Sequence, residues 1–234
     1  MGYGECWALQ RALFDAVLRA KGARALFCDG EDVGGVRTAA LSLEPQQAGW
    51  LLTVEHDPVY TLGKSGKESN VLVSEDYLRS IGAEFYHIDR GGDVTFHGPG
   101  QIVAYPIVDL ERLGIGLREY IDRLEGAVID TVAEWGIGAG RIAGASGVWI
   151  EPDGTRARKI CAIGVRSSRF VTMHGLALNV STDLRYFNHI NPCGFTDRGV
   201  TSLECETGGK DDMEDVKRRL VRHLAEKLNV RIYK

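Results

Sequence analysis

The sequence predicts a mixed α/β domain spanning residues 1–234, rich in strands through its middle and flanked by helices. Three observations predict it. Apolar residues recur at helical spacing near both ends and once in the interior. Short apolar or alternating runs crowd the region between residues 50 and 180. Two of those runs are set back to back by Pro152-Asp153-Gly154, a strong turn sequence.

Taken in order, residues 5–21 carry Leu9, Leu13, Phe14, Val17 and Leu18 on one stripe, which predicts an amphipathic helix. Residues 50–56 form a buried strand that Asp57-Pro58 stops. Residues 84–89 alternate like a strand. Residues 102–108 are a further apolar run, but Pro106 argues against a central place in a sheet because it has no ladder N–H to give. A long helix is expected over 117–135 and strands over 147–151, 159–166 and 176–180. A last helix over 212–228 turns Val216, Leu220, Leu224 and Leu228 inward. No repeat or low-complexity linker divides the chain.

Composition narrows the function. A net charge of −4 speaks against a nucleic-acid binder, which is usually basic. Cys6, Cys28, Cys161, Cys193 and Cys205 are scattered and odd in number, which fits free thiols in a reducing compartment better than a disulfide framework. The N-terminus lacks a signal-peptide layout, and no apolar run reaches the ~20 residues of a membrane helix. A cytoplasmic protein with no membrane partner is the expectation. No histidine pair has metal-ligand spacing, so no metal is expected.

Four clusters could carry chemistry. The first is Arg90-Gly91-Gly92-Asp93-Val94-Thr95-Phe96-His97-Gly98-Pro99-Gly100-Gln101, where glycines let backbone approach a ligand and Arg90 offers a planar cationic fork. A plain glycine-rich loop between strands is the alternative. The second is Asn188-His189-Ile190-Asn191-Pro192-Cys193-Gly194, whose Asn-Pro turn is able to present a sulfur to a pocket. Cys6, Cys28 and Cys205 read as small buried hydrophobes. Cys161 is the rival nucleophile, because two residues after Lys159 it shares that residue's strand face.

The third cluster is Lys159 and the residues after it. Lys159 is either a solvated edge residue or a partly buried cation that would lower a neighbouring thiol's pKa. The fourth is the stretch around His174, a histidine that reads first as a satisfied structural residue. Residues 154–182 contain no acid but hold Arg156, Arg158, Lys159, Arg166 and Arg169. That strip suits either an anionic partner or a solvated face.

In this order the clusters resemble the octanoyltransferase family of lipoate biosynthesis. The family signature R-G-G-x-V-T-x-H-G-P-G-Q stands unbroken at residues 90–101. Further blocks resemble it too: Glu55-His56-Asp57-Pro58, Gly147-Val148-Trp149, Lys159-Ile160-Cys161-Ala162-Ile163-Gly164, His174-Gly175-Leu176-Ala177-Leu178-Asn179-Val180 and Asn191-Pro192-Cys193-Gly194. The match runs over about residues 50–203.

The resemblance implies a fold like that of lipoate and biotin protein ligases. It implies Cys193 as the acyl carrier and Lys159 as the lysine that lowers its pKa. The family's substrate-contacting segments fall on Arg90, Gly91, Gly92, Asp93, Val94, Thr95, Phe96 and His97, on Ala162, Ile163 and Gly164, and on Gly175, Leu176 and Ala177. Implied partners are octanoyl-acyl carrier protein as donor and lipoyl domains of 2-oxoacid dehydrogenase E2 subunits and glycine cleavage H protein as acceptors. No cofactor is implied. An ATP-dependent lipoate protein ligase is the nearest rival. A cysteine hydrolase using His97, His174 or His189, or a non-catalytic binding module, is the more distant one.

Overall fold

The computed structural model describes residues 1–22, 43–44, 46–191 and 198–233, together with the backbone of 32–33 and 36–37. Cys28 and Cys193 lie outside the described residues. The chain opens with helix α1 (Tyr3–Ala20), followed by the short antiparallel pair β1 (Asp32–Val33) and β2 (Val36–Arg37). Strands β3 (Gly49–Val54) and β4 (Val59–Leu62) precede helix α2 (Glu75–Ser80). Next come β5 (Glu84–His87), β6 (Val94–His97) and β7 (Gln101–Val108), the one-turn helix α3 (Leu110–Leu113) and helix α4 (Leu117–Ala133). Strands β8 (Ala139–Ile142), β9 (Ala145–Ile150), β10 (Arg158–Ser168) and β11 (Val171–Asn179) follow. The chain closes with β12 (Gly199–Val200), α5 (Leu203–Thr207) and α6 (Met213–Leu228).

Among the described residues the large sheet runs β3-β7-β11-β10-β9-β8, each pair antiparallel, with β12 lying parallel to β10. A smaller sheet, β5-β4-β6, mixes a parallel and an antiparallel pair. This is the expected α/β architecture, a mixed sheet with flanking helices. The period-2 strands explain how both sheet faces are used. Ile102 and Ala104 of β7 join Leu176 and Leu178 of β11 beneath α4 and α6, where Leu124, Val128, Val216, Leu220 and Leu224 complete one core. Ile107, Val171 and Met173 meet Leu13, Phe14, Val17 and Leu18 of α1 in another.

The helix ends follow local chemistry. Asp212 caps α6 by accepting from the Glu214 N–H, and Asn229 ends it in the left-handed region at φ 55°. Ser74 and Ser202 cap α2 and α5 in the same way. These short helices were not expected. Neither were β4 and β6, the second of which falls inside the glycine-rich stretch.

Pro106 corrects the sequence expectation. It sits in β7, between β3 and β11, opposite Leu51. The ladder from β7 to β11 stops at Ala104, before the residue that cannot donate. Beyond that point a side chain substitutes for the ladder: the Thr172 hydroxyl donates to the Pro106 carbonyl at 2.9 Å, and its oxygen accepts the Val108 N–H at 3.1 Å. Gly175 faces this place so closely that a Cβ on it would lie 2.1 Å from the Ala104 carbonyl oxygen. Proline is tolerated centrally because the neighbouring strand has already left the ladder.

Candidate active site

A cavity of about 410 Å³ opens where the two sheets meet, within the ~300–1,000 Å³ span of small-molecule sites. Residues 90–95 and His97, 162–164 and 175–177 all line it, as does Lys159. Phe96 does not. It alternates away along β6 and stacks on Tyr186 at 4.5 Å between centroids, inside the core of the small sheet. The lining that sequence reasoning missed includes Tyr3 from α1, Gln101 and Tyr105 from β7, Leu117 and Ile121 from α4, Asn179, and Val200. The alternation of β7 and β11 could have flagged Gln101 and Asn179, two polar residues at the ends of apolar strands.

Lys159 sits at the start of β10. Its ammonium donates to the Ser146 carbonyl at 3.1 Å and lies 4.6 Å from the Trp149 ring centroid. Gly147 makes room for the stem. It has φ 116°, and a Cβ there would fall 2.5 Å from the Cys161 carbonyl oxygen and 3.4 Å from the Lys159 Cε. The Gly147 N–H donates at 2.9 Å to Glu125, a buried carboxylate that Arg141 pairs at 2.8 Å. Lys159 is the half-buried cation of the two readings the sequence left open.

Cys161 does not share the face of Lys159. The register of β10 against β9 shifts between the two residues, and this bulge sends Ile160 and Cys161 together into the core beneath α4 and α6. Cys161 is sealed there, its thiol bonded to the Ala162 carbonyl at 3.5 Å and pushed up to about 12 by burial. It is not a rival nucleophile. Cys6 is buried as expected, whereas Cys205 stands exposed on the outer side of α5 while Leu203 takes the inner one.

Arg90 is also used differently from expectation. Its guanidinium donates to the Thr61 carbonyl at 2.7 Å, to the Thr61 hydroxyl at 3.0 Å and to the Gly91 carbonyl at 3.0 Å. Its fork thus ties the glycine-rich stretch to β4. The Gly91 N–H is likewise committed, to the Val165 carbonyl of β10 at 2.9 Å.

The positive charge of Arg90 still acts on the cavity floor. His97 is lowered to about 3, mainly by burial and then by His56, with Arg90 adding to the effect. His174 is lowered to about 3 by burial and by Arg90 and Arg166, and His56 to about 4 by burial. All three are neutral near pH 7. His174 is both structural and lining: it is at φ 61°, its Nε2 is 3.2 Å from Asp89, and it borders the cavity. His189 lies outside the cavity lining, with Nδ1 2.9 Å from the Tyr60 hydroxyl.

The basic strip is largely neutralised by acids from outside it. Arg158 pairs with Glu206 at 2.5 Å and Glu151 at 2.9 Å, and Arg166 pairs with Asp89. Among the described residues no helix is long and apolar enough to cross a membrane.

A model of the lipoyl protein ligase A/B catalytic domain matches residues 3–225. The chain is a member of that family. Octanoyltransferases stand among its relatives. That of Bacteroides fragilis is 55% identical over 222 residues, 95% of this chain and 91% of that protein. That of Flavobacterium johnsoniae is 46% identical over 223 residues, 95% and 90% of the two chains. The fold is that of solved lipoate protein ligases. The bipartite enzyme of Thermoplasma acidophilum superposes with a TM-score of 0.65 at 15% identity, covering 97% of this chain and 82% of that one. A lipoate-protein ligase A bound with ATP gives 0.61 at 16% identity, covering 97% and 83%. Its octanoyltransferase relatives, together with the family match, make the chain a transferase.

Proposed function

We propose that this chain transfers an octanoyl group from octanoyl-acyl carrier protein, through a thioester on Cys193, to a lysine of a lipoyl domain. The observation that carries the reading is the cavity's composition. Lys159 stands at the start of a trough that Arg90 also borders, and the small residues Ala162, Gly164, Gly175 and Ala177 are among its walls. Such walls admit a straight acyl chain close to backbone. Val200, seven residues after Cys193, pairs with Lys159, which ties the chain following the cysteine to the lysine's own strand.

In the first half-reaction the Cys193 thiolate attacks the carrier thioester, the carbon–sulfur bond to the carrier breaks, and the carrier leaves as a thiol after gaining a proton. Lys159 favours the thiolate by its charge. In the second, the acceptor amine attacks the new thioester, an amide forms, and Cys193 leaves as the thiolate once the amine's proton has gone. One thioester replaces another and then becomes an amide. The sequence of bonds is downhill without ATP.

The acceptors this reading favours are lipoyl domains of 2-oxoacid dehydrogenase E2 subunits and glycine cleavage H protein, in the cytoplasm, as the first step of protein lipoylation. Intact mass after mixing with octanoyl-acyl carrier protein should rise by one octanoyl group. Cys193→Ala should abolish that gain, and a lipoyl domain should discharge it from the wild-type protein. A product formed only from free octanoate and ATP would replace the reading with ligase chemistry.

A further inference from the structure

The floor of the cavity holds a histidine whose tautomer the surrounding carbonyls dictate. Asn179 Nδ2 donates to the Thr201 carbonyl at 3.0 Å, so its Oδ1 is the end that faces Gln101. Gln101 Nε2 donates to that Oδ1 at 2.8 Å and to the Phe96 carbonyl at 3.2 Å. Its Oε1 is therefore the end 2.8 Å from His97 Nδ1. A carbonyl oxygen can only accept, so Nδ1 carries the proton. The ring is neutral, and its Nε2 is left with a bare lone pair.

That lone pair is not closed off by packing. His97 is 7% exposed, lines the cavity, and its Nε2 is not among the sealed polar atoms that lack a partner. The ring lies parallel to that of Tyr3, with planes 4° apart and centroids 6.3 Å apart.

The lock also sits near Lys159. Asn179 pairs with Gln101 and follows Leu178, the partner of Cys161, so this row is close to Lys159 along the sheet. The Thr201 N–H donates to the Lys159 carbonyl at 2.9 Å, while the same residue's carbonyl receives Asn179. One peptide segment thus joins the lysine's backbone to the histidine's lock.

We propose that His97 Nε2 is a fixed hydrogen-bond acceptor that positions an N–H group of a reactant in this cavity. The inference rests on the acyl-transfer reading above and gives a specific role to His97, one residue of the stretch that the resemblance implies contacts substrate. An octanoyl chain has no donor to offer. The reactants bring N–H donors in two places: the amides of the carrier's arm and the amine of the acceptor lysine. Both share the chemistry, and the two half-reactions separate them. His97 does not shuttle the proton in either, because an imidazole this weakly basic carries none at neutral pH.

The test has a spectroscopic arm and a kinetic one. Nitrogen-detected histidine spectra of the whole protein, with His97 assigned by its loss in His97→Gln, should show a protonated Nδ1 and a bare Nε2. Gln101→Met should release that preference. His97→Phe should slow one single-turnover step by roughly tenfold, the worth of one hydrogen bond. Slower acylation of Cys193 by octanoyl-carrier protein places the arm amide at His97, and slower discharge by the lipoyl domain places the amine there. His97→Gln, which keeps an acceptor, should recover part of the rate.

A protonated Nε2 in the wild-type protein overturns the proposal, whatever the variants do. So does a folded His97→Phe protein that acylates and discharges at wild-type rates. Failure of Cys193 to acylate at all would instead defeat the transferase reading, and it leaves the tautomer measurement to judge the lock.

Discussion

At the scale of single residues, the three described cysteines acquire different chemistry from their surroundings alone. Burial raises the Cys161 thiol to about 12 and the Cys6 thiol to about 11, while Cys205 is exposed. In a Cys193→Ala background at pH 7.5, iodoacetamide should label Cys205 on the folded protein. Cys6 and Cys161 should react at least on the order of a hundredfold more slowly, because both thiolate and access are withheld. Peptide mapping reads the result, and labelling of Cys161 at the pace of Cys205 would contradict its place in the core.

The same contrast explains what the sequence made legible. The stretch at 90–101 stood out by its glycines and Arg90, but only the resemblance to a family set it apart from a plain glycine-rich loop. The direction of Arg90 was not legible. A guanidinium can face a ligand or a carbonyl, and only Thr61, brought in from another strand, decides between them. Gln101 is a similar case, since its two amide ends become distinct only once Phe96 and Asn179 stand beside it.

At the scale of elements, β10 shows where alternation fails as a guide. Period-2 reasoning places residues 159 and 161 on one face, but it assumes an unbroken register. The bulge against β9 breaks it, and Lys159 reaches the cavity while Cys161 enters the core. Long periodic helices such as α4 and α6 were legible, because their stripes span many turns. The short strands β4 and β6 were hidden, since four residues beside glycines carry little pattern.

Gly175 tests the meeting of β11 with β7. A Cβ there would lie 2.1 Å from the Ala104 carbonyl and 2.8 Å from Pro106 Cδ, backbone and ring that cannot step aside. Gly175→Ala should therefore cost ~2–4 kcal/mol in urea unfolding. Gly82→Ala is the comparison for a left-handed glycine with open space: at φ 73° and with nothing within 4 Å of the added Cβ, it should cost about 1 kcal/mol. Equal losses in the two variants would mean that the close approach at Gly175, whose φ is not left-handed, relaxes at little cost.

At the scale of the molecule, two histidines of the cavity lining and a third beside them connect acid stability to the site. His56, His97 and His174 are folded with pKa values lowered to about 4, 3 and 3, whereas in the unfolded chain each titrates near 6.5. Above pH ~6.5 neither state binds protons at these rings, and their contribution is constant. As pH falls below that, the unfolded chain takes up protons that the folded one refuses, so stability falls. The slope is ~1.4 kcal/mol per pH unit for each ring, at most ~4 for the three together. It flattens only below the folded values. Carboxylates held below their usual range, such as Glu206 beside Arg158, add their own loss at lower pH still.

Urea midpoints measured at pH 7, 6 and 5 should therefore fall increasingly steeply, and proton uptake on unfolding should approach three near pH 5. A flat profile over that range would mean that the rings are not buried as described. The location of the effect matters as well as its size. His56 joins the chain start to Tyr105 of β7, His97 belongs to the small sheet and bonds Gln101 of the large one, and His174 lies on β11 against Asp89. Protonating them loosens the junction of the two sheets, where the cavity lies. Acid should therefore weaken the site and the fold in one transition, with no window in which an intact fold carries an opened cavity.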